Sequence, residues 1–107
     1  MPLVLVSTTT ADRDEAERIA SDLVTSGLAA CVQVAGPVRS FYRWQGERRQ
    51  DEEWVCLVKT TLELYGAVEA AIRRLHRYEL PEVVAVPAEG SEPYAAWVAA
   101  ATTAGDG

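Results

Sequence analysis

Apolar and polar positions along the chain follow two different periods, and the changes between them divide the sequence into elements. Val4 to Val6 form a short apolar run that ends in the polar stretch STTT, which is typical of a buried strand running into a turn. Asp12 with Glu15 three residues later then predicts a capping box, and Gly27 occupies the position of a C-terminal cap. The helical stripe between these caps is Ala16, Ile19, Ala20, Leu23 and Val24.

A change of the period from 3.6 to two predicts a long β-hairpin after this helix. Residues 28–34 alternate between two faces, and Gly36 with Pro37 then interrupts the run, which indicates a bulge or an edge position because proline cannot donate to a ladder. The strand resumes through VRSFYRW, Gln45 and Gly46 supply the turn, and a charged return leads into a second strand.

The predicted hairpin is long for a chain of 107 residues. Fully extended, residues 30–44 would span about 50 Å at ~3.3 Å per residue, whereas a compact chain of this size is roughly 34 Å across. The tip should therefore protrude or bend, and a protruding ribbon with two open edges tends to pair with another chain. The sequence predicts an oligomer that covers these edges.

The second half of the chain predicts two helices and one short strand. Thr60 with Glu63 offers a cap for a helix that ends near His76, a strand covers residues 83–86, and Ser91 starts a final helix. The closing TTAGDG is expected to fray. The two helical stripes are Tyr65, Val68, Ile72 and Leu75, then Tyr94, Trp97, Val98 and Ala101.

This order of elements predicts an α+β fold. Two right-handed strand, helix, strand units joined by a hairpin give the ferredoxin-like sandwich, a four-stranded antiparallel sheet with helices on one face, here with an extra C-terminal helix. With 107 residues and 49% hydrophobic positions, the chain is expected to form a single globular domain over residues 1–107.

Charge and composition restrict which classes of partner and which cellular compartment are expected. The 16 acidic and 10 basic residues give a net charge of −6, which would repel a phosphate backbone, so nucleic acid is not an expected partner. The sequence has no apolar run near the roughly 18 residues of a membrane span. We therefore expect no membrane partner and a cytoplasmic location. Cys31 and Cys56 lie in apolar runs and resemble small buried hydrophobes, so a disulfide is not favoured.

The single histidine of the chain is the first candidate for chemistry. His76 precedes Tyr78 and Glu79 at a helix exit, where two readings stay open: a proton-transfer site, or a histidine that only caps the last helical carbonyls. Nucleophilic catalysis by Cys31 or by a hydroxyl of residues 7–10 beside His76 is a weaker hypothesis. The sequence contains no CxxC or HxxxH spacing, so its internal support for a metal site is weak.

The second candidate for a functional site is a cleft. Lys59 interrupts an otherwise apolar strand and faces away from Cys56, so it either extends to solvent or meets an acidic partner or an anionic ligand. Tyr42 and Trp44 share one face of the hairpin and would line such a cleft, or equally a core or a subunit interface.

Five stretches occur in an order and spacing that resemble a known family. They are GLAACVQV at 27–34, SFYRWQGE at 40–47, EEWVCLVKT at 52–60, LHRYELPEVVAVP at 75–87, and the pair Tyr94 with Trp97. Together they resemble the CutA family of divalent-cation tolerance proteins over nearly the whole chain.

The resemblance implies a cytoplasmic, non-enzymatic homotrimer in which hairpin strands pair across subunits. It implies no obligatory cofactor, but binding of Cu²⁺ or another divalent cation, or of a small ligand, in a cleft between subunits. His76 is the implied metal ligand. The implied lining residues are Cys31, Tyr42, Trp44, Lys59, Tyr78, Glu79 and Trp97.

Two departures from the family pattern weaken the case for copper. Some members carry a cysteine where this chain has Ser7 and Thr8, and some carry a second histidine where this chain has Arg77. Two other functions stay open. One is a signalling module, like the PII proteins, that binds a small anionic metabolite through Lys59 and the aromatic residues, and the other is a hydrolase or isomerase that uses His76 and Glu79.

Overall fold

A computed structural model describes residues 3–102 of the chain. In chain order the elements are β1 (Leu3–Thr10), α1 (Arg13–Thr25), β2 (Cys31–Trp44), β3 (Glu47–Thr61), a 3₁₀ turn (Leu62–Leu64), α2 (Tyr65–Leu75), β4 (Val84–Ala88) and α3 (Glu92–Ala101). Of the tail that is predicted to fray, residues 103–107 lie outside the described range.

The four strands form one antiparallel sheet in the order β2-β3-β1-β4. This order arises because each helix returns the chain to the same sheet, and it confirms the predicted ferredoxin-like α+β fold. Helices α1 and α2 bury their apolar stripes against one face of the sheet. The core between these layers is Val4, Val6, Ile19, Leu23, Ala29, Val58, Val68, Ala71 and Ile72.

Helix α1 begins and ends where the sequence predicts, but Glu15 does not complete a capping box. The Asp12 carboxylate accepts a hydrogen bond from the Glu15 amide at 2.8 Å, whereas the Glu15 side chain turns inward and is fully buried. At the other end, Gly27 has a φ of 79°, and the amide of Leu28 donates to the carbonyl of Leu23 at 3.0 Å. This closure is a Schellman motif, which requires the left-handed conformation that glycine adopts without strain.

The hairpin is formed by the two longest strands, β2 with 14 residues and β3 with 15, in a chain whose extents are 44 × 27 × 21 Å. Gln45 and Gly46 have φ values of 51° and 81°, as a two-residue type I′ turn requires, so the predicted turn is confirmed. The register shifts between Ala35 and Val38, which places the predicted bulge at the intervening glycine and proline. Beyond this bulge most hairpin side chains are exposed.

Three local predictions are wrong. Strand β2 begins at Cys31, because residues 28–30 still connect the helix cap to the sheet. Thr60 does not cap the second helix, since its hydroxyl donates to the carbonyl of Leu28 at 2.7 Å and β3 continues past it. In α3 the predicted stripe is buried at Val98, but Trp97 is 47% exposed.

Replacing the cap of α1 should lower stability without changing the fold. In Asp12→Ala the amide of Glu15 loses its acceptor, so we expect the free energy of unfolding to fall by about 1 kcal/mol. Urea denaturation measures this change, with Arg18→Ala on the exposed face of α1 as the control. Equal midpoints for the two variants would contradict the role of this cap.

Candidate functional site

A groove of about 1100 Å³ lies between the β2-β3 hairpin and the segment that follows α2. Residues 78–82 form one wall, and side chains that project from the hairpin form the other. Thr9, at the end of β1, lies where the two walls approach each other. The groove exists because the hairpin continues past the body of the sheet, whereas the chain leaving α2 turns back across the end of β1.

The groove is strongly acidic. Its lining includes five acidic residues and one basic residue, Arg49, so cations are attracted to it and anions are repelled. Arg49 itself lies 3.8 Å from a carboxylate oxygen of Glu47 on the same strand. The five acidic residues are Asp51, Glu52, Glu53, Glu79 and Glu82.

Hydroxyl groups fix two of these carboxylates in the groove. The Tyr78 hydroxyl donates to Glu53 Oε2 at 2.7 Å, and the Tyr42 hydroxyl donates to Asp51 Oδ2. Although Glu53 lies in the charged return of the hairpin, only 7% of it is exposed. A hydrogen bond to an ionised carboxylate is stronger than one between neutral groups, so these contacts hold the negative charges at defined positions.

The same contacts change the acidity of the two phenols. Burial raises the pKa of Tyr78 well above its ordinary value near 10, and its hydrogen bond to the Glu53 carboxylate raises that pKa further. For Tyr42, the hydrogen bond to Asp51 is the main cause of a raised pKa. Both phenols therefore remain neutral donors through the physiological pH range.

Four of the predicted cleft residues come together in this groove. Tyr42 and Trp44 line it from the hairpin, and Tyr78 and Glu79 line it from the segment after α2. The predicted common face of Tyr42 and Trp44 follows from strand alternation, because β2 pairs them with Arg49 and Glu47 of β3. The helix exit and the hairpin thus form opposite walls of one site.

Three predicted cleft residues lie elsewhere in the subunit. Cys31 and Lys59 are register partners on the sheet, and the Lys59 ammonium donates to the Gln33 side chain at 2.6 Å. Trp97 lies on α3, where its ring centroid is 5.5 Å from that of Tyr94. Within one subunit these residues do not line the acidic groove.

His76 ends α2, as predicted, but its ring is buried behind the groove wall. Its Nε2 lies 2.7 Å from the carbonyl oxygen of Thr9, and its Nδ1 accepts from the amide of Tyr78 at 3.1 Å. A carbonyl oxygen only accepts, so Nε2 carries the proton and the imidazole is neutral in this arrangement. Both ring nitrogens are therefore occupied, and the role of His76 as a metal ligand stays a prediction.

Sequence reasoning missed most of the acidic residues of this site. Segment 47–53 resembles a solvated charged return, and nothing in its local pattern indicates that Glu53 is buried. Outside the groove, the capping-box pattern predicts a helix cap for Glu15, whereas its carboxylate accepts from the amide of Arg77 at 2.8 Å. The one available signal was the strand register, since Asp51 and Glu53 alternate onto one face of β3.

The described residues contain neither a metal-ligand cluster nor a membrane-spanning helix. Across residues 3–102, no group of three or more His, Cys, Asp or Glu side chains is placed to hold a metal ion within one subunit. No helix in that range is long and apolar enough to cross a membrane. Cys31 and Cys56 are both free thiols, and burial raises the pKa of Cys56 to about 11, so this thiol stays protonated.

The fold and the site define a class: a ferredoxin-like α+β subunit with an extended hairpin and an acidic groove beside it. The family model for the CutA1 divalent ion tolerance protein matches residues 4–101. The chain is 41% identical to the divalent-cation tolerance protein CutA of Thermus thermophilus, over 88% of this chain and 92% of that protein. It therefore belongs to the CutA1 divalent ion tolerance protein family, as the resemblance predicted.

Two further comparisons agree with this assignment. A solved structure of the divalent cation tolerance protein from Thermus thermophilus has a TM-score of 0.91 at 39% identity, covering 94% of this chain and 99% of that chain. The chloroplastic protein CutA of Arabidopsis thaliana is 31% identical over 92% of this chain. The chain spans about half of that plant relative, 54% of its length.

Removing the Tyr78 hydroxyl tests whether its hydrogen bond to Glu53 stabilises the groove wall formed by residues 78–82. In Tyr78→Phe the buried Glu53 carboxylate loses its donor, so we expect the free energy of unfolding at neutral pH to fall by about 1–3 kcal/mol. Urea denaturation measures this loss, with Tyr94→Phe on the exposed face of α3 as the control. A loss no larger than in the control would contradict the contact.

The raised pKa of Tyr78 should make the stability of the protein depend on pH. The folded state holds the Tyr78 proton more tightly than the unfolded state, so its contribution is complete below pH ~10 and is lost as the pH rises further. We expect wild-type stability to fall above that pH more steeply than that of Tyr78→Phe. Parallel profiles from urea denaturation across this range would contradict the raised pKa.

Proposed function

We propose that this chain acts in tolerance to divalent cations as a homotrimer whose acidic groove binds the ion. The observation that carries the proposal is the set of five acidic residues that line a concave site with one basic residue. Such a cleft raises the local concentration of cations, and its oxygen ligands suit hard divalent ions. The relatives' names assign divalent-cation tolerance to those proteins, and the groove supplies a physical means for the same role here.

The hairpin supports assembly of the trimer. Strand β2, of 14 residues, is an edge of the sheet, and within residues 3–102 no other strand pairs with its outer side. Phe41, in the middle of the outer half of this strand, is 58% exposed. A second subunit that pairs with this edge would cover both the backbone and the ring.

Assembly also supplies what one subunit lacks at the groove. Among residues 3–102 the carboxylates do not converge into a cluster able to hold an ion, and the groove opens beside the hairpin that we propose as the subunit interface. A neighbouring hairpin would bring further oxygen or aromatic groups to the open side. Cys31, Lys59 and Trp97 stay candidates for contributions of this kind from another subunit.

Carboxylates, rather than His76, are the proposed ligands. The imidazole is buried and its two nitrogens already hold Thr9 and Tyr78. Cu²⁺ ranks above the other divalent first-row ions at most sites, so it should bind most tightly, but without selectivity from a soft ligand. This combination fits a protein that responds to several divalent ions.

The acidic groove gives no support to the two other functions. An anionic metabolite would meet five carboxylates there, while the ammonium of Lys59 is bound to Gln33 outside the groove. Catalysis by His76 would require its buried ring to exchange the Thr9 contact for a substrate contact. We therefore propose a non-catalytic role. A cytoplasmic location also stays a proposal, since the Arabidopsis relative is named as chloroplastic.

The assembly is tested by the mass of the particle in solution. Size-exclusion chromatography with light scattering should give three times the mass of one chain for the wild type. In Phe41→Lys an ammonium replaces the exposed ring at the proposed interface, so the trimer should dissociate at micromolar concentration. Val24→Lys, at a 46% exposed apolar residue of α1, is the matched control and should remain trimeric. A wild-type monomer would contradict the assembly.

The groove is tested by calorimetric titration with Cu²⁺ and Mn²⁺. Glu79→Gln removes one groove carboxylate with almost no change in shape, so we expect the affinity for both ions to fall at least ~10-fold, the loss that outer-shell partners alone can cause. Glu17→Gln removes an exposed carboxylate of α1 that pairs with Arg13 and should leave both affinities unchanged. Identical curves for the wild type and Glu79→Gln would contradict the proposed ligand.

A further inference from the structure

Glu15 is a buried carboxylate that the groove itself does not contain. It lies in the first turn of α1 and is fully buried. Its Oε2 accepts from the backbone amide of Arg77 at 2.8 Å, but its Oε1 has no hydrogen-bond partner among residues 3–102. A buried carboxylate with one unpartnered oxygen destabilises a fold, so its presence points to a role that an apolar residue would not fill.

Glu15 faces the imidazole of His76. Glu15 Oε2 lies 3.4 Å from Nδ1, and neither group is exposed. That nitrogen is unprotonated, since it accepts from the amide of Tyr78, and Nε2 donates to the carbonyl of Thr9. Glu15 and His76 therefore take up two consecutive backbone amides, those of Arg77 and Tyr78, immediately after α2 ends.

These two amides precede the groove wall. The chain from 76 to 83 contains no helix or strand, so its course depends on individual contacts rather than on a ladder of hydrogen bonds. Tyr78 is anchored at its amide by His76 and at its hydroxyl by Glu53. Its ring lies between these anchors, with its centroid 4.9 Å from that of the imidazole.

We infer that Glu15 and His76 are positioning residues for the acidic groove: they fix the chain leaving α2 so that the Tyr78 hydroxyl holds Glu53 in the groove wall. This inference rests on the proposed cation-binding function of the same groove. It assigns to α1 and to the imidazole an indirect part in cation binding, through contacts that connect residue 15 to residue 53.

Groups from three elements lie near Glu15 and His76 and set the electrostatic environment of this pair. From β3, the Cys56 thiol lies beside Glu15 and stays protonated, because burial and the Glu15 charge both raise its pKa. From the segment after α2, the Arg77 guanidinium lies 3.5 Å from Asp12, at the surface. From β1, the Thr9 carbonyl accepts from His76 Nε2. The Glu15 carboxylate is thus met by one backbone amide, that of Arg77, rather than by a Lys or Arg side chain.

The test uses a variant that removes the acceptor but keeps the volume. Glu15→Met has a side chain of similar length without oxygen atoms, and replacement of a buried charge by an apolar residue often preserves folding. Glu15→Gln is the conservative variant that restores an acceptor for the Arg77 amide. Glu17→Met, on the exposed face of the same helix, is the control.

The first readout does not depend on any ligand. Tyrosine Cζ resonances in ¹³C NMR, assigned with Tyr78→Phe, report whether each phenol is ionised, and an ordinary tyrosine is mostly ionised at about pH 11. At that pH we expect Tyr78 to remain protonated in the wild type, in Glu17→Met and in Glu15→Gln, and to ionise in Glu15→Met. A folded Glu15→Met in which Tyr78 stays protonated overturns the inference, as does a Glu15→Gln in which Tyr78 ionises.

The second readout is calorimetric titration with Cu²⁺. Glu15→Met should bind about 10-fold more weakly than the wild type, the effect typical of a residue that supports a metal ligand, and Glu15→Gln should recover most of the loss. Unchanged affinity in a Glu15→Met whose Tyr78 has been released would overturn the link to the groove. If the wild type itself does not bind Cu²⁺, the proposed function fails, while the Tyr78 readout still decides the positioning role.

Discussion

The hairpin of β2 and β3 is longer than its own subunit can cover, and the organisation of the site follows from this constraint. The sheet body is closed on one face by α1 and α2, but residues beyond the bulge at Gly36 and Pro37 project past that body. Side chains there contact each other across the ribbon, and Glu53 also accepts a hydrogen bond from Tyr78 of the segment after α2. This leaves an acidic and aromatic surface on one face and an open backbone edge beside it, which together favour assembly with further copies.

The second wall of the groove depends on a different kind of contact. Leaving α2, the chain has no ladder to follow, and its direction is held by single hydrogen bonds to Glu15, His76 and Glu53. The first lies in a helix 62 residues earlier, so the groove wall is connected to the core through side chains of α1. A histidine at a helix exit thus has a structural explanation: it satisfies a carbonyl of β1 and the amide of Tyr78 together.

Sequence patterns predicted the parts of this fold that depend on local rules. The caps of α1 at Asp12 and Gly27, the turn at Gln45 and Gly46, and the end of α2 at His76 are each determined by a few neighbouring residues. Because two right-handed strand, helix, strand units can be combined in only a few topologies, the order of strands in the sheet could also be predicted.

The site was less accessible to sequence reasoning, because its contacts are long-range. A Glu three residues after an Asp fits a capping box, and only tertiary packing turns Glu15 inward toward Arg77. Likewise, a run of charges resembles a solvated strand, yet Glu53 is buried and bonded to Tyr78, which comes from a segment 25 residues further along. Lys59 and Trp97 belong to the same set of family-like stretches as the cleft residues. Strand β3 and helix α3 nevertheless place them outside this groove within one subunit.

The most direct test of the central claim is the anomalous diffraction of crystals grown with Cu²⁺. A groove completed by assembly predicts copper density among the carboxylates of one subunit, with the hairpin of a neighbouring subunit alongside. Density bound to the His76 ring, or a groove filled by apolar side chains of the neighbour with no ion in it, would contradict the claim.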